Sequence, residues 1–110
     1  MEQPTVNSIM LKLSTEILDD PNELSQYLVY LTANLYKYGR DTVEAEIAYA
    51  KRWQEVRLTC ETDGQANINV KSEPEYQKWQ MAKVSEKAVL EVLRAIKKRL
   101  SSLSNEFNSY

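Results

Sequence analysis

Histidine is absent from the chain, and cysteine occurs once, glycine twice and proline three times in 110 residues. Each scarcity excludes chemistry. Without histidine there is no His-based zinc site, no Ser-His or Cys-His nucleophile and no imidazole general base. Cys60 has no second cysteine to pair with in the chain. Two glycines leave little material for a phosphate-cradling loop, and neither the dinucleotide fingerprint nor the P-loop spacing occurs. No apolar run approaches the ~20 residues of a transmembrane helix. No basic leader precedes an apolar core, so a secretory signal is not expected and a cytoplasmic location is. The composition points away from an enzyme and towards a binding or assembly protein, with no cofactor expected.

What is present is ordinary in amount and uneven in arrangement. Hydrophobic residues make up 43% and charged residues 27%, which fits a folded chain rather than a disordered one. The length suits one domain, residues 1–110. The net charge of −2 does not mark a nucleic-acid binder, but the last third carries seven bases against five acids. The densest cluster is Arg94, Lys97, Lys98 and Arg99. Bases in the last turns of a helix complement its dipole, and such a cluster also makes a solvated face.

Scarce glycine and proline leave long stretches with helical periodicity. Val6, Met10, Leu13 and Ile17 step by four, three and four, which predicts a short helix over about 5–19. Asp20 precedes Pro21, a residue suited to the first helical position. Asp20 reads as a cap, with Glu23 completing a capping box. A long helix is expected over about 21–62, with a stripe of Leu24, Leu28, Leu31, Leu35 and Tyr38 that resumes at Val43, Ile47, Ala50 and Trp53. Gly39 lies inside it and leaves a kink open. Thr62-Asp63-Gly64-Gln65 reads as a turn, and residues 66–71 as a possible short extended segment. Ser72, with Glu75 three residues later, reads as the cap of a second long helix over about 73–107. Its seam of Val89, Leu93, Ile96, Leu100, Leu103 and Phe107 alternates fours and threes. The expected fold is all-α: an elongated antiparallel hairpin of two long helices with a short N-terminal helix. Tyr27, Tyr30, Leu58, Leu90 and Val92 fall beside the seams, so such a hairpin leaves apolar surface over and is expected to form a homo-oligomer.

Near the hairpin bend, antiparallel helices bring Trp53 and Trp79 towards the same level. Lys51, Arg52, Arg57, Lys71, Lys78 and Lys83 lie around them in sequence. Rings interleaved with cations suit single-stranded nucleic acid, since bases stack on rings and cations track phosphates. Tryptophan on a helix seam equally suits plain packing, and Glu55, Glu61, Glu73 and Glu75 dilute the positive field. Asp41, Glu44 and Glu46 form an acidic cluster that reads as a solvated face rather than a metal site.

Over residues 22–107 this layout resembles the UvsY recombination mediators of T-even-type bacteriophages and their relatives. The resemblance is carried by YLTANLYKYGRDTVEAEIAYAKRWQEVRL, by ETDG at the turn, and by VKSEPEYQKWQMAKVSEKAVLEVLRAIKKRL. Within the last, the VKSE entry, Lys87-Ala88-Val89 and Arg94-Ala95-Ile96-Lys97 are the similar steps. The resemblance implies a ring-forming homo-oligomer that binds single-stranded DNA. It also implies contacts with a recombinase and a single-strand-binding protein, the first being helped to replace the second. A basic pair two residues apart near the end of the first long helix serves DNA binding in that family. Arg57 matches one member, while Glu55 occupies the other, leaving Lys51 and Arg52 as the nearby substitutes. The C-terminal seam from Val89 to Phe107 resembles the family's oligomerisation element.

The expected nucleic-acid residues are therefore Lys51, Arg52, Trp53, Arg57, Lys78, Trp79, Lys83, Arg94, Lys97 and Lys98. The expected oligomer interface is the seam. The competing expectation is a structural or adaptor coiled coil, for example a phage assembly component, with no nucleic acid bound.

Overall fold

The computed structural model of the chain describes residues 5–108, with side chains described through residue 105. Four α-helices follow in order: α1 (Val6–Thr15), α2 (Pro21–Arg57), α3 (Asp63–Asn69) and α4 (Pro74–Asn108), with a 3₁₀ turn, Val70–Ser72, between the last two. No strand occurs among the described residues. The contacts group the chain into two compact units. One takes the chain up to Tyr36 and from Ala88 onward, and the other takes Lys37–Lys87.

In the first unit, α1 begins at a reciprocal cap. Thr5 Oγ1 accepts from the Ser8 amide at 3.1 Å, and Ser8 Oγ accepts from the Thr5 amide at 2.9 Å. The helix ends at Glu16, which is extended, so it stops short of the expected residue 19. Its buried residue is Ile9; of the expected stripe Val6 and Leu13 are half-buried, while Met10 is exposed and Ile17 lies beyond the helix end, 83% exposed. Asp20 does cap α2, accepting from the Asn22 amide at 3.0 Å. Glu23 turns instead to α1: it accepts from Lys12 Nζ at 2.9 Å and from Tyr27 Oη at 2.6 Å, and Lys12 also reaches Tyr27 Oη at 3.0 Å. The buried apolar residues of this unit are Ile9, Leu18, Leu24, Tyr27, Leu31, Val89, Val92, Leu93, Ile96 and Leu103. Arg99 holds the α1–α2 connection to α4, donating to the Leu18 carbonyl at 3.1 Å and pairing with Asp19.

In the second unit, α2 and α4 run antiparallel. Thr42 Oγ1 donates to the Ala82 carbonyl at 3.3 Å, Tyr49 stacks on Trp79 with centroids 4.7 Å apart, and Arg52 pairs with Glu73 at 3.1 Å. Each step forward on α2 is thus a step back on α4. The helix passes through Gly39 without a break. The inward face is Thr42, Ala45, Tyr49 and Val56, whereas Val43 and Ile47 are exposed. The periodic stripe drawn through them from sequence is therefore displaced, with Ala45 buried in its place.

The bend differs most from expectation. Helix α2 ends at Arg57, not near residue 62, and residues 63–69 are helical rather than turn or extended. Thr62 caps α3 by accepting from the Gln65 amide at 3.2 Å, while the Gln65 side chain accepts from the Glu61 amide at 3.0 Å. The Thr-x-x-Gln spacing is a helix start, which the Asp-Gly pair disguises as a turn. The helix is kept by burial: Val56, Ala66 and Val70 form a small core, with Tyr49, Trp53 and Cys60 packed against it. Ser72 does not cap α4. It donates to the Asn69 carbonyl at 2.8 Å inside the 3₁₀ turn, and extended Glu73 precedes Pro74 at the helix start. Proline imposes that extended geometry on the residue before it.

Candidate nucleic-acid interface

The expected bend-side residues divide into those already engaged and those left in solvent. Arg52 donates to Glu55 at 2.7 Å and pairs with Glu73 at 3.1 Å, so it ties α2 to the start of α4. Its hydrogen bonds to Glu55 and then to Glu73 raise its pKa above the ordinary arginine value. Arg57 donates to Asp63 Oδ1 at 2.6 Å and to the Cys60 carbonyl at 2.7 Å, bracing the turn into α3. Both guanidiniums thus hold the bend together. Glu55, at the position where the resembled family carries a base, accepts from Arg52 one turn earlier on the same helix. Lys51 and Lys71 are exposed.

The tryptophans do not meet. Trp53 packs on the α3 core and donates Nε1–H to Asn67 Oδ1 at 2.7 Å. Trp79 has Tyr49 stacked at 4.7 Å and 22°, Tyr76 edge-on at 6.5 Å, and the Lys83 ammonium 3.9 Å from its ring centroid. A base needs a bare ring face on which to stack. Neighbours already occupy Trp79, and Lys83 is spent on the ring as a cation–π partner. The aromatic and basic residues expected to form one binding patch are therefore mostly packing and bracing residues.

The C-terminal bases are arranged differently. In the first unit, Ile96 is buried while Arg94, Lys97 and Lys98 are exposed. Arg94 and Lys98 lie two residues either side of Ile96 and so project to the opposite side of α4. Arg94 has Glu91 at 3.2 Å, an exposed pair of little strength, and Lys97 and Lys98 have no acid within ion-pair distance among the described residues. Arg99, the fourth base of the cluster, is committed to Leu18 and Asp19.

The seam expected to join copies is largely buried within one chain. Val89, Leu93, Ile96 and Leu103 are 1%, 4%, 0% and 6% exposed, and Leu100 is half-buried. These residues serve the first unit's own core, as do Tyr27 and Val92, which the hairpin reading leaves unpartnered. The seam is therefore corrected from intermolecular to intramolecular at those positions. The heptad pattern reports a buried helix face and does not say which helix covers it. The Phe107 side chain lies outside the described ones.

A groove in the second unit has no counterpart among the features expected from sequence. It has a volume of about 440 Å³ and runs between α2 and α4, over a floor that includes Ala45, Ala48 and Ala82. Asp41 and Glu44 stand on the α2 wall, with Lys78 and Met81 on the α4 wall. Lys78, expected near the tryptophans, belongs here. The groove's one signal in the sequence is alanine spacing, which helices share widely. Among the described residues no three acids or cysteines gather as a metal site, and no helix is long and apolar enough to cross a membrane. Comparison of the chain with family models, curated proteins and solved structures finds no match.

Proposed function

We propose that the chain is a single-stranded-DNA-binding accessory protein of homologous recombination. It acts as a homo-oligomer in the bacterial cytoplasm and helps a recombinase replace a single-strand-binding protein. Recombinase and single-strand-binding protein enter through the resemblance to the UvsY mediators. The observation that carries DNA binding is the exposed set Arg94, Lys97 and Lys98 on α4, with Arg94 and Lys98 opposite the buried face and Lys97 on its flank. Cations without internal duties can follow a phosphate backbone, and several weak sites linked in one assembly bind far more tightly than one. This reconciles binding with a net charge of −2. The reading involves no catalysis and no cofactor.

The adaptor reading draws on a different observation: Arg52, Arg57, Trp53 and Trp79 all have partners within the chain. Titration of a labelled ~30-nucleotide single strand at low and high salt, with mass followed by light scattering, separates the two. Binding that weakens steeply with salt on a stable oligomer supports the mediator. No binding at low salt by a well-formed oligomer supports the adaptor.

A further inference from the structure

The groove of the second unit has a charge pattern that complements itself. Its α2 wall is acidic, through Asp41 and Glu44, and its α4 wall is basic, through Lys78. These charges are not neutralised across the groove. Neither Lys78 nor Asp41 has an ion-pair partner among the described residues, and Glu44 has only exposed Arg40, loosely, at 3.9 Å. The floor is made of small residues, and beside it Met81 stands 65% exposed. A long flexible thioether left in water beside a shallow trough of alanines is a knob next to a hole.

We propose that this groove face is the contact between two copies of the chain. A two-fold axis parallel to the helices lays α2 of one copy over α4 of the other. The pairing of Thr42 with Ala82 sets position 78 opposite 46 and position 81 opposite 43, so each Lys78 comes within reach of the other copy's Glu44, with Asp41 a turn further along, and each Met81 stands about half a turn from the other copy's Ala45. The same surface serves both copies, as a two-fold contact requires. Arg94, Lys97 and Lys98 are not among the residues that line the groove. A contact on this face also supplies an intermolecular surface where the Val89–Leu103 seam, spent within the chain, does not.

The pattern permits a test in trans with full-length chains. One variant carries Lys78→Glu, and another carries Asp41→Lys with Glu44→Lys. All three positions are exposed, so helicity by circular dichroism stays that of the parent. Alone, each variant sets like charges against each other at both ends of the contact, and self-association weakens about tenfold or more. In the mixture, the glutamate introduced in the first variant meets the lysines introduced in the second. The second variant's own Lys78 meets the unchanged Glu44 of the first, so the mixture regains the parental mass by light scattering or sedimentation. Met81→Glu lowers the mass whether or not charge matters. The proposal is overturned if the parent is a monomer, if the charge variants alone keep the parental mass, if mixing restores nothing, or if Met81→Glu leaves the mass unchanged. Mass is read without DNA, so its failure is separate from failure of the nucleic-acid reading.

Discussion

At position 52 the sequence shows an arginine beside a tryptophan, with a second arginine five residues on, and the local pattern suggests a phosphate contact. The folded chain puts Glu73, distant in sequence, 3.1 Å from that guanidinium. Nothing at residue scale announces such a partner, because it depends on where α4 begins. Glu23 is the mirror case. Its spacing from Asp20 suggests a local capping residue, yet its hydrogen bonds come from Tyr27 and from Lys12 on another helix. The Tyr27 hydroxyl first, and then Lys12, hold its carboxyl below the usual glutamate range. A lowered carboxylate contributes stability that is present above the unfolded-state value, near 4.3, and lost as pH falls through the folded-state value. Thermal unfolding followed through this acid range should therefore show a drop that Glu23→Gln flattens. An identical acid limb in the variant would show that the cluster contributes nothing. Burial pushes the Tyr27 hydroxyl up, and the Lys12 ammonium is raised by its bonds to Tyr27 and Glu23. Their share is complete at neutral pH and is lost as pH rises through the folded-state values.

Elements are more legible than their boundaries. Both long helices follow from the near-absence of glycine and proline and from leucine spacing, and the Asp20 cap is readable because its bond is local. The bend is not, because Thr62-Asp63-Gly64-Gln65 carries two signals, and burial of Ala66 and Val70 favours the helical one. The same scale answers the question of Gly39. It is helical, and a Cβ there would meet Glu86 Oε1 at 3.6 Å, an ordinary contact with the tip of a flexible side chain. Gly39→Ala should thus stabilise the chain by about 0.5–1 kcal/mol through helix propensity, seen as a raised Tm. A lowered Tm would mean that α2 needs the glycine.

At the scale of the whole molecule, periodicity reveals faces and leaves their partners open. The α4 seam is the clearest pattern in the sequence, and its assignment to a second copy fails because α1 and α2 supply buried residues to the same unit. Ile96→Ala accordingly reads on stability, at about 2–5 kcal/mol by denaturant unfolding, with the mass of the remaining folded protein unchanged. A variant of normal stability but reduced mass would return the seam to the interface. The candidate DNA site shifts for the same reason. Of the bases named from sequence, Arg52 and Arg57 brace the bend, while Arg94, Lys97 and Lys98 are left to solvent on α4.

The claim that these outward bases bind DNA is tested most directly by one experiment: fluorescence anisotropy of a labelled single strand, titrated at several salt concentrations. It compares the parent chain, the Arg94→Ala, Lys97→Ala, Lys98→Ala triple variant and the Arg52→Ala, Arg57→Ala double variant. Each phosphate contact on a single strand contributes about −0.7 to the slope of log K against log salt, so the triple variant should flatten the slope by about 2 per protomer engaged. The double variant should keep the parental slope while unfolding at lower temperature. A flattened slope in the bend variant, with an unchanged slope in the α4 variant, would contradict the account.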